Sequence, residues 1–157
     1  MNLLKNNAKT IIAVDKTLTT AIYIFYPALI IYLAVTCHGN WVTGLLPYVL
    51  VPGISFVLVS IFRYLYNAPR PYDEPGAPEP IIKKDSPGKS FPSRHVFSIF
   101  IIAVTAFMVQ PVSGILIGVA GIVLAVIRVA GGVHYPRDVI AGAIIGTALG
   151  LIGYAIL

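Results

Sequence analysis

The chain contains little charge and almost no cysteine. Charged residues make up 11% of its 157 residues, and Cys37 is the single cysteine. Soluble domains carry roughly a quarter charged residues, so this composition excludes an ordinary soluble domain. A lone cysteine also excludes an intramolecular disulfide and a cysteine metal cluster.

Long apolar stretches take the place of charge. Hydrophobic residues make up 57% of the chain, and several uncharged stretches approach the roughly 20 residues that cross a hydrocarbon core of about 30 Å. We predict an all-α fold, a polytopic transmembrane helix bundle of about five spans with an interfacial N-terminal helix over residues 1–17. The whole chain, 1–157, is expected to form one membrane-embedded domain.

Proline, glycine and charge set the limits of the predicted spans. The longest interruption, residues 67–92, is rich in proline and carries four of the six acids, a composition that belongs outside lipid. Pro136 suits the first turn of a helix and is expected to open the last span. The five predicted spans are residues 18–36, 43–66, 93–109, 112–129 and 136–157.

Charge also predicts the sidedness and the partners of the protein. Five spans place every lysine and arginine on one side of the membrane, together with loop 67–92, and the positive-inside rule makes that side cytoplasmic.

The net charge of +5 is not clustered as nucleic-acid binding requires, so lipid phosphate is the predicted partner. The loop acids lack regular ligand spacing, which predicts solvated charge and no metal site or cofactor. They are Asp73, Glu74, Glu79 and Asp85.

Gly142, Gly146 and Gly150 recur at four-residue spacing in the last predicted span. Small residues at this spacing form a smooth helix face that another helix can approach closely. The pattern favours packing inside the bundle, and a homodimer through glycine-faced helices is the alternative.

Two segments of the chain offer groups for binding an anion. Arg63 and Arg70 are seven residues apart, which is two turns along one face if the helix continues to Arg70. Their planar donors match phosphate oxygens, although snorkelling to headgroups explains either one alone. Ser93 is placed to cap the third span, where free amides attract anions. His95 in its first turn titrates in the range that suits proton transfer, although an interfacial histidine beside a cap is equally compatible.

A third segment offers a nucleophile. His134 and Asp138 are four residues apart at the start of the last span, so the carboxylate can orient one ring nitrogen and leave the other free to attack. Arg128, inside the membrane, needs an anion, which a bound phosphate would supply. The alternative is a salt bridge between Arg128 and Asp138, with His134 at the surface.

Together, these segments resemble the signature of the type 2 phosphatidic acid phosphatase superfamily, which includes bacterial membrane lipid phosphatases and vanadium haloperoxidases. The signature reads Lys-x6-Arg-Pro, Pro-Ser-Gly-His and Ser-Arg-x5-His-x3-Asp. This chain has Arg63 for the lysine, Arg94 for the glycine and Ile127 for the serine. Motif order and span placement agree with the family over roughly residues 40–157.

The resemblance implies a metal-independent phosphatase that forms a phosphohistidine. His134 would attack phosphorus, Asp138 would hold its imidazole, and His95 would protonate the leaving group and then activate water. Arg94 is a candidate additional cation for the second phosphate of a pyrophosphate. The implied phosphate-binding residues are Arg63, Arg70, Ser93, Arg94 and Arg128.

The predicted function is hydrolysis of a lipid phosphomonoester or pyrophosphate. Phosphatidic acid, phosphatidylglycerophosphate and a polyprenyl pyrophosphate such as undecaprenyl pyrophosphate are the candidate substrates. A catalytically silent lipid-phosphate binder or a small transporter is the alternative, and the intact trio of His95, His134 and Asp138 favours the enzyme. Family members commonly face the site outward, so we expect a multi-pass cell-membrane protein with an extracytoplasmic site, against the positive-inside rule.

Overall fold

In a computed structural model of the protein, the described residues, 7–36, 41–83 and 87–157, form helices and no strand. The prediction of an all-α bundle of about five helices is confirmed. Residues 1–6, 37–40 and 84–86 lie outside the described residues, and with them parts of the predicted N-terminal helix and of two loops. The helices are α1 (Ala8–Thr36), α2 (Trp41–Tyr66), α3 (Arg94–Val109), α4 (Pro111–Ala130) and α5 (Pro136–Ile156), with a 3-10 turn at Pro71–Asp73.

The first helix is longer than the predicted span. α1 runs for 29 residues through Pro27, so residues 8–17, predicted as a separate interfacial helix, continue the same helix without a break. Asp15 does not end it because its carboxylate is ion-paired with Arg128. Proline inside such a helix is tolerated where neighbouring groups satisfy the freed backbone.

The helices make this a multi-pass membrane protein. α1, α2, α4 and α5 are long and apolar enough to cross a membrane. α3 has 16 residues, about 24 Å of helix, which is shorter than a hydrocarbon core of roughly 30 Å. It contacts all four other helices and is the most buried of them. Large exposed apolar side chains cover the outside of the bundle, as a lipid-facing surface requires, among them Ile24, Leu58, Ile122 and Ile144.

The glycine face of α5 packs directly on α3. Gly142, Gly146 and Gly150 are buried. A Cβ added at Gly142 would lie 2.7 Å from the carbonyl oxygen of Ser93, and one added at Gly146 would lie 2.6 Å from that of Phe97. Because α3 covers this face, the glycines serve packing within the chain and leave no free glycine surface there for a homodimer.

We expect Gly146→Ala to lower the free energy of unfolding by about 1–3 kcal/mol, because the new methyl would press on backbone atoms of α3 that cannot swing aside. Gly118→Ala on α4 is the matched control, since no atom lies within 4 Å of a Cβ added there. Alanine should stabilise that position slightly through its helix propensity. Thermal unfolding in one detergent measures both variants, and equal midpoints would contradict this account.

Candidate active site

The three motifs meet at one end of the bundle. The backbone N–H of Ser93 donates to the carbonyl of Asp138 at 2.8 Å, which joins the start of α3 to the first turn of α5. Nη1 of Arg70, just after α2, donates to the carbonyl of Val133 at 3.1 Å, in the turn between α4 and α5. Segments far apart in the sequence are therefore held together by hydrogen bonds to backbone carbonyls.

The long loop after α2 folds over this end of the bundle. Ile82 is buried in an apolar cluster with Val133, and its backbone N–H donates to the carbonyl of Gly131 at 3.2 Å. Phe91 packs against Phe62 and Tyr66 at the end of α2. The loop is thus anchored at both its middle and its end.

Asp73 was predicted to be a solvated charge in the loop, but its carboxylate is hydrogen-bonded to the loop backbone. Its Oδ2 accepts hydrogen bonds from the backbone N–H groups of Arg70 and Gly88, both at 2.8 Å. A carboxylate that accepts two amide bonds satisfies donors that the loop would otherwise leave unpaired. Asp73 therefore ties the beginning of the loop to its end.

His134 and Asp138 lie at the centre of the site, with side chains 2% and 0% exposed. His134 Nδ1 faces the Asp138 carboxylate, 3.6 Å from Oδ2, so Nε2 is the ring nitrogen turned away from the carboxylate. A separation of 3.6 Å is too long for a hydrogen bond. The hydroxyl of Ser90 lies beside both groups, 2.5 Å from Oδ2 and 3.3 Å from Nδ1.

Burial lowers the pKa of His134 from 6.5 to about 4. The negative charge of the neighbouring Asp138 carboxylate opposes this shift in pKa, whereas the positive charges of Arg70 and Arg63 add to it. The imidazole is consequently neutral near neutral pH, and a neutral imidazole carries the lone pair that a nucleophile needs.

The same burial predicts a pH dependence of stability. In the unfolded chain His134 takes up a proton near its ordinary pKa of about 6.5, whereas in the folded protein it stays neutral down to a pH of about 4. The free energy of unfolding should therefore fall as the pH is lowered from about 6.5 to about 4. At about pH 5 the loss attributable to His134 is about 2 kcal/mol relative to about pH 7.5. His134→Gln should remove this part of the slope. Unfolding of both proteins at both pH values measures it, and parallel slopes would contradict it.

Arg63 holds the loop that precedes α3. Its Nη1 donates to the carbonyl of Ser90 at 3.1 Å and also to that of Pro92, and its Nη2 donates to the carbonyl of Lys89. A guanidinium offers donors on three nitrogens, whereas lysine offers one nitrogen. The arginine that replaces the family's lysine can therefore bind this loop at two nitrogens at once.

Arg128 pairs with Asp15 rather than with Asp138. Its Nε lies 2.7 Å from Asp15 Oδ1, and its Nη2 donates to the Thr19 hydroxyl at 3.2 Å, both on α1. Six buried side-chain atoms have no hydrogen-bond partner among the described residues, and two of them are donors of this site that also lack an ion pair, Arg128 Nη1 and Ser93 Oγ. Buried donors of this kind are usually satisfied, so these two are available to an anion.

Arg94 and His95 line an apolar cavity rather than the buried centre. The cavity has a volume of about 270 Å³ and lies between α1, α2 and α3. Arg94 is exposed, with its guanidinium carbon 5.7 Å from the ring centre of Phe56, and His95 is half-buried. The arginine that replaces the family's glycine is thus turned toward α2.

Two residues of this site were missed by the sequence analysis. Ser90 lies three residues before Ser93, the serine of the second motif. It belongs to a loop without helical periodicity, and an uncharged serine there has no feature that marks it as functional. Asp15 interrupts an apolar stretch, and an acid within a membrane helix predicts a buried cationic partner. That signal was present for Asp15, and Arg128 was the arginine predicted to lie inside the membrane and to need an anion.

Comparison with known proteins agrees with the motifs. The family model of the PAP2 superfamily matches residues 44–157. The fold is similar to that of LpxE of Aquifex aeolicus, with a TM-score of 0.70 and 23% identity over 96% of this chain and 93% of that one. A transmembrane PAP2-type phosphatidylglycerolphosphate phosphatase from Bacillus subtilis gives a TM-score of 0.68 and 21% identity over 99% and 84% of the two chains.

A curated relative gives a match at higher identity over a shorter region. The bacitracin transport permease protein BcrC of Bacillus licheniformis is 32% identical over 96 residues, which are 59% of this chain and 47% of that protein. The chain thus spans about half the length of this relative. The family match, by contrast, covers all three motifs and most of the chain, so this protein belongs to the PAP2 superfamily.

Proposed function

We propose that this protein hydrolyses a phosphomonoester or pyrophosphate of a membrane lipid, with a phosphohistidine formed at His134. The observation that carries the proposal is a buried, neutral His134 whose Nδ1 faces Asp138 and whose Nε2 is left for attack. A nucleophile oriented by a carboxylate is the arrangement that covalent catalysis uses.

The proposed reaction has two steps. His134 Nε2 attacks phosphorus as the bond to the leaving oxygen breaks, and His95 in its protonated form gives that oxygen a proton. His95, now neutral, takes a proton from water as the water oxygen attacks phosphorus and the phosphorus–nitrogen bond breaks. The electron pair returns to Nε2, inorganic phosphate leaves, and the protonated His95 is regenerated.

Cations and unpaired donors would stabilise the charge that develops on the phosphoryl oxygens. Arg70 and Arg63 are close enough to His134 to affect its protonation. Ser93 Oγ and Arg128 Nη1 are buried donors of this site that lack a hydrogen-bond partner within the described part of the chain. Together these four residues form the proposed phosphate cradle.

The apolar cavity supports a lipid as the leaving group. His95 lines this cavity, so an alcohol or phosphate that it protonates would lie where its hydrocarbon chain can enter between α1, α2 and α3. Arg94 lines the same cavity and is the cation proposed for the second phosphate of a pyrophosphate. Phosphatidic acid, phosphatidylglycerophosphate and undecaprenyl pyrophosphate remain the candidate substrates.

Phosphate release from these three lipids tests the proposal. The purified protein in detergent, with a chelator present, should release inorganic phosphate from at least one of them, and acid-labile label from a ³²P-lipid should be trapped on the protein. A silent binder or a small transporter, the alternative favoured by the name of the bacitracin relative, would bind lipid without either result. Release that stops with the chelator would overturn the metal-independent mechanism.

We further propose that the site faces outward from the cytoplasm. Glu79 is an exposed residue of the loop over the site, and Cys37 is the only native cysteine. Glu79→Cys in a Cys37→Ser background should react with a membrane-impermeant maleimide in intact cells. Labelling only after lysis would place the site in the cytoplasm, as the positive-inside rule predicts.

A further inference from the structure

Ser90 is buried at the centre of the site, although it belongs to none of the three motifs. Its exposed fraction is 0%. Its backbone N–H donates to the carbonyl of Ala68 at 2.9 Å, and its own carbonyl accepts from Arg63 at 3.1 Å. Because the backbone is held on both sides, the position of the hydroxyl is set by the fold.

The hydroxyl is closer to His134 and to Asp138 than those two side chains are to each other. Oγ lies 2.5 Å from Asp138 Oδ2 and 3.3 Å from His134 Nδ1, against 3.6 Å for the direct separation. Oδ2 also accepts from the backbone N–H of Tyr135 at 3.1 Å. The carboxylate thus reaches the imidazole chiefly through the serine.

The donors and acceptors allow one arrangement of protons across these three groups. An ionised carboxylate only accepts, so the single hydroxyl proton of Ser90 points to Asp138. The oxygen of Ser90 then accepts, and Nδ1 of His134 must donate to it. A neutral imidazole with its proton on Nδ1 has its lone pair on Nε2.

We propose that Ser90 is a positioning residue for the hydrolysis, joining His134 to Asp138 and holding the imidazole in the tautomer whose Nε2 can attack phosphorus. The effect of Ser90 on catalysis rests on the proposed function, whereas the predicted tautomer of His134 is independent of that function. Partners that orient a functional histidine typically contribute about 10–100-fold to activity.

Three variants separate this role from a merely structural one. Ser90→Ala should lower kcat by about 10–100-fold with KM almost unchanged, because the substrate does not touch the serine. Ser90→Thr keeps the hydroxyl and should recover most of the lost activity. Ser55→Ala removes another buried serine, on α2, and should leave kcat as in wild type.

Nitrogen NMR of the labelled histidine rings gives a readout that does not depend on turnover. The chain has three histidines, so the His134 signals are assigned by their loss in His134→Gln. Wild type should show the Nδ1-protonated form, and Ser90→Ala should shift the population toward the Nε2-protonated form. If Ser90→Ala does not unfold cooperatively, Ser90→Cys, with its weak hydrogen-bonding group, is the substitute.

The outcomes distinguish this inference from the proposed function. If wild type releases no phosphate from any lipid but shows the expected tautomer, the function fails and the role of Ser90 in orienting the ring stands. If wild type is active while Ser90→Ala keeps its kcat within about twofold and its tautomer unchanged, the inference is overturned. Ser90→Thr as impaired as Ser90→Ala, in a protein with the wild-type melting temperature, would also overturn it.

Discussion

His134→Ala should lower phosphate release by about four orders of magnitude or more, the scale seen when a covalent nucleophile is removed from an enzyme. The substitution deletes the ring nitrogen that would form the phosphorus–nitrogen bond. Phosphate release in detergent and trapping of labelled protein from a ³²P-lipid measure the loss, and both signals should disappear together.

His95→Ala supplies the matched control for this experiment. Its loss should slow lipid hydrolysis by about 10²–10⁴-fold, as expected for a general acid. An activated aryl phosphate has a leaving group that needs no proton, so it should restore much of the first-step rate in His95→Ala and none in His134→Ala. Equal rescue of both variants would contradict the assignment of the two histidines.

Arg128→Ala should reduce both activity and stability. Activity should fall by about 10²–10³-fold if the guanidinium stabilises charge on the phosphoryl group. The Asp15 carboxylate, whose side chain is 13% exposed, would lose its cation, and breaking a buried pair costs roughly 3–5 kcal/mol. Phosphate release and thermal unfolding report the two effects separately.

A double variant separates the two roles of Arg128. Arg128→Ala with Asp15→Ala removes both charges, so it should recover much of the stability lost in the single variant. Its activity should stay low, because the cation proposed for phosphate is still absent. Recovery of activity together with stability would show that Arg128 serves only to pair with Asp15.

The end of α2, the start of α5 and the proximity of His134 to Asp138 could be predicted from sequence because all three depend on local chemistry. Lipid excludes unsatisfied backbone and charge, so composition predicted the end of α2 at Tyr66 and the start of α5 at Pro136. His134 and Asp138 lie within one turn of each other, and their spacing alone predicted that one ring nitrogen faces the carboxylate.

The partners of the other polar groups could not be predicted, because they depend on how the helices pack. Ser90 lies 44 residues before His134, and nothing local indicates that its hydroxyl is within reach of both the histidine and the carboxylate. Arg128 could equally have paired with Asp138 or with a bound anion, and only the placement of α1 beside α4 selects Asp15. The same holds for Arg63, whose guanidinium meets carbonyls of a loop that has no periodic pattern.

The glycine contact between α3 and α5 also restricts how the protein can move. Packed helices can slide past each other when the contact between them is made by side chains. At Gly142 and Gly146, however, the backbone of α5 lies against that of α3. The hydrogen bond from Ser93 to Asp138 adds a further link at the catalytic end. His95 and the His134–Asp138 pair should therefore move as one rigid body. Any opening that admits the proposed lipid substrate would then require movement of α1 and α2.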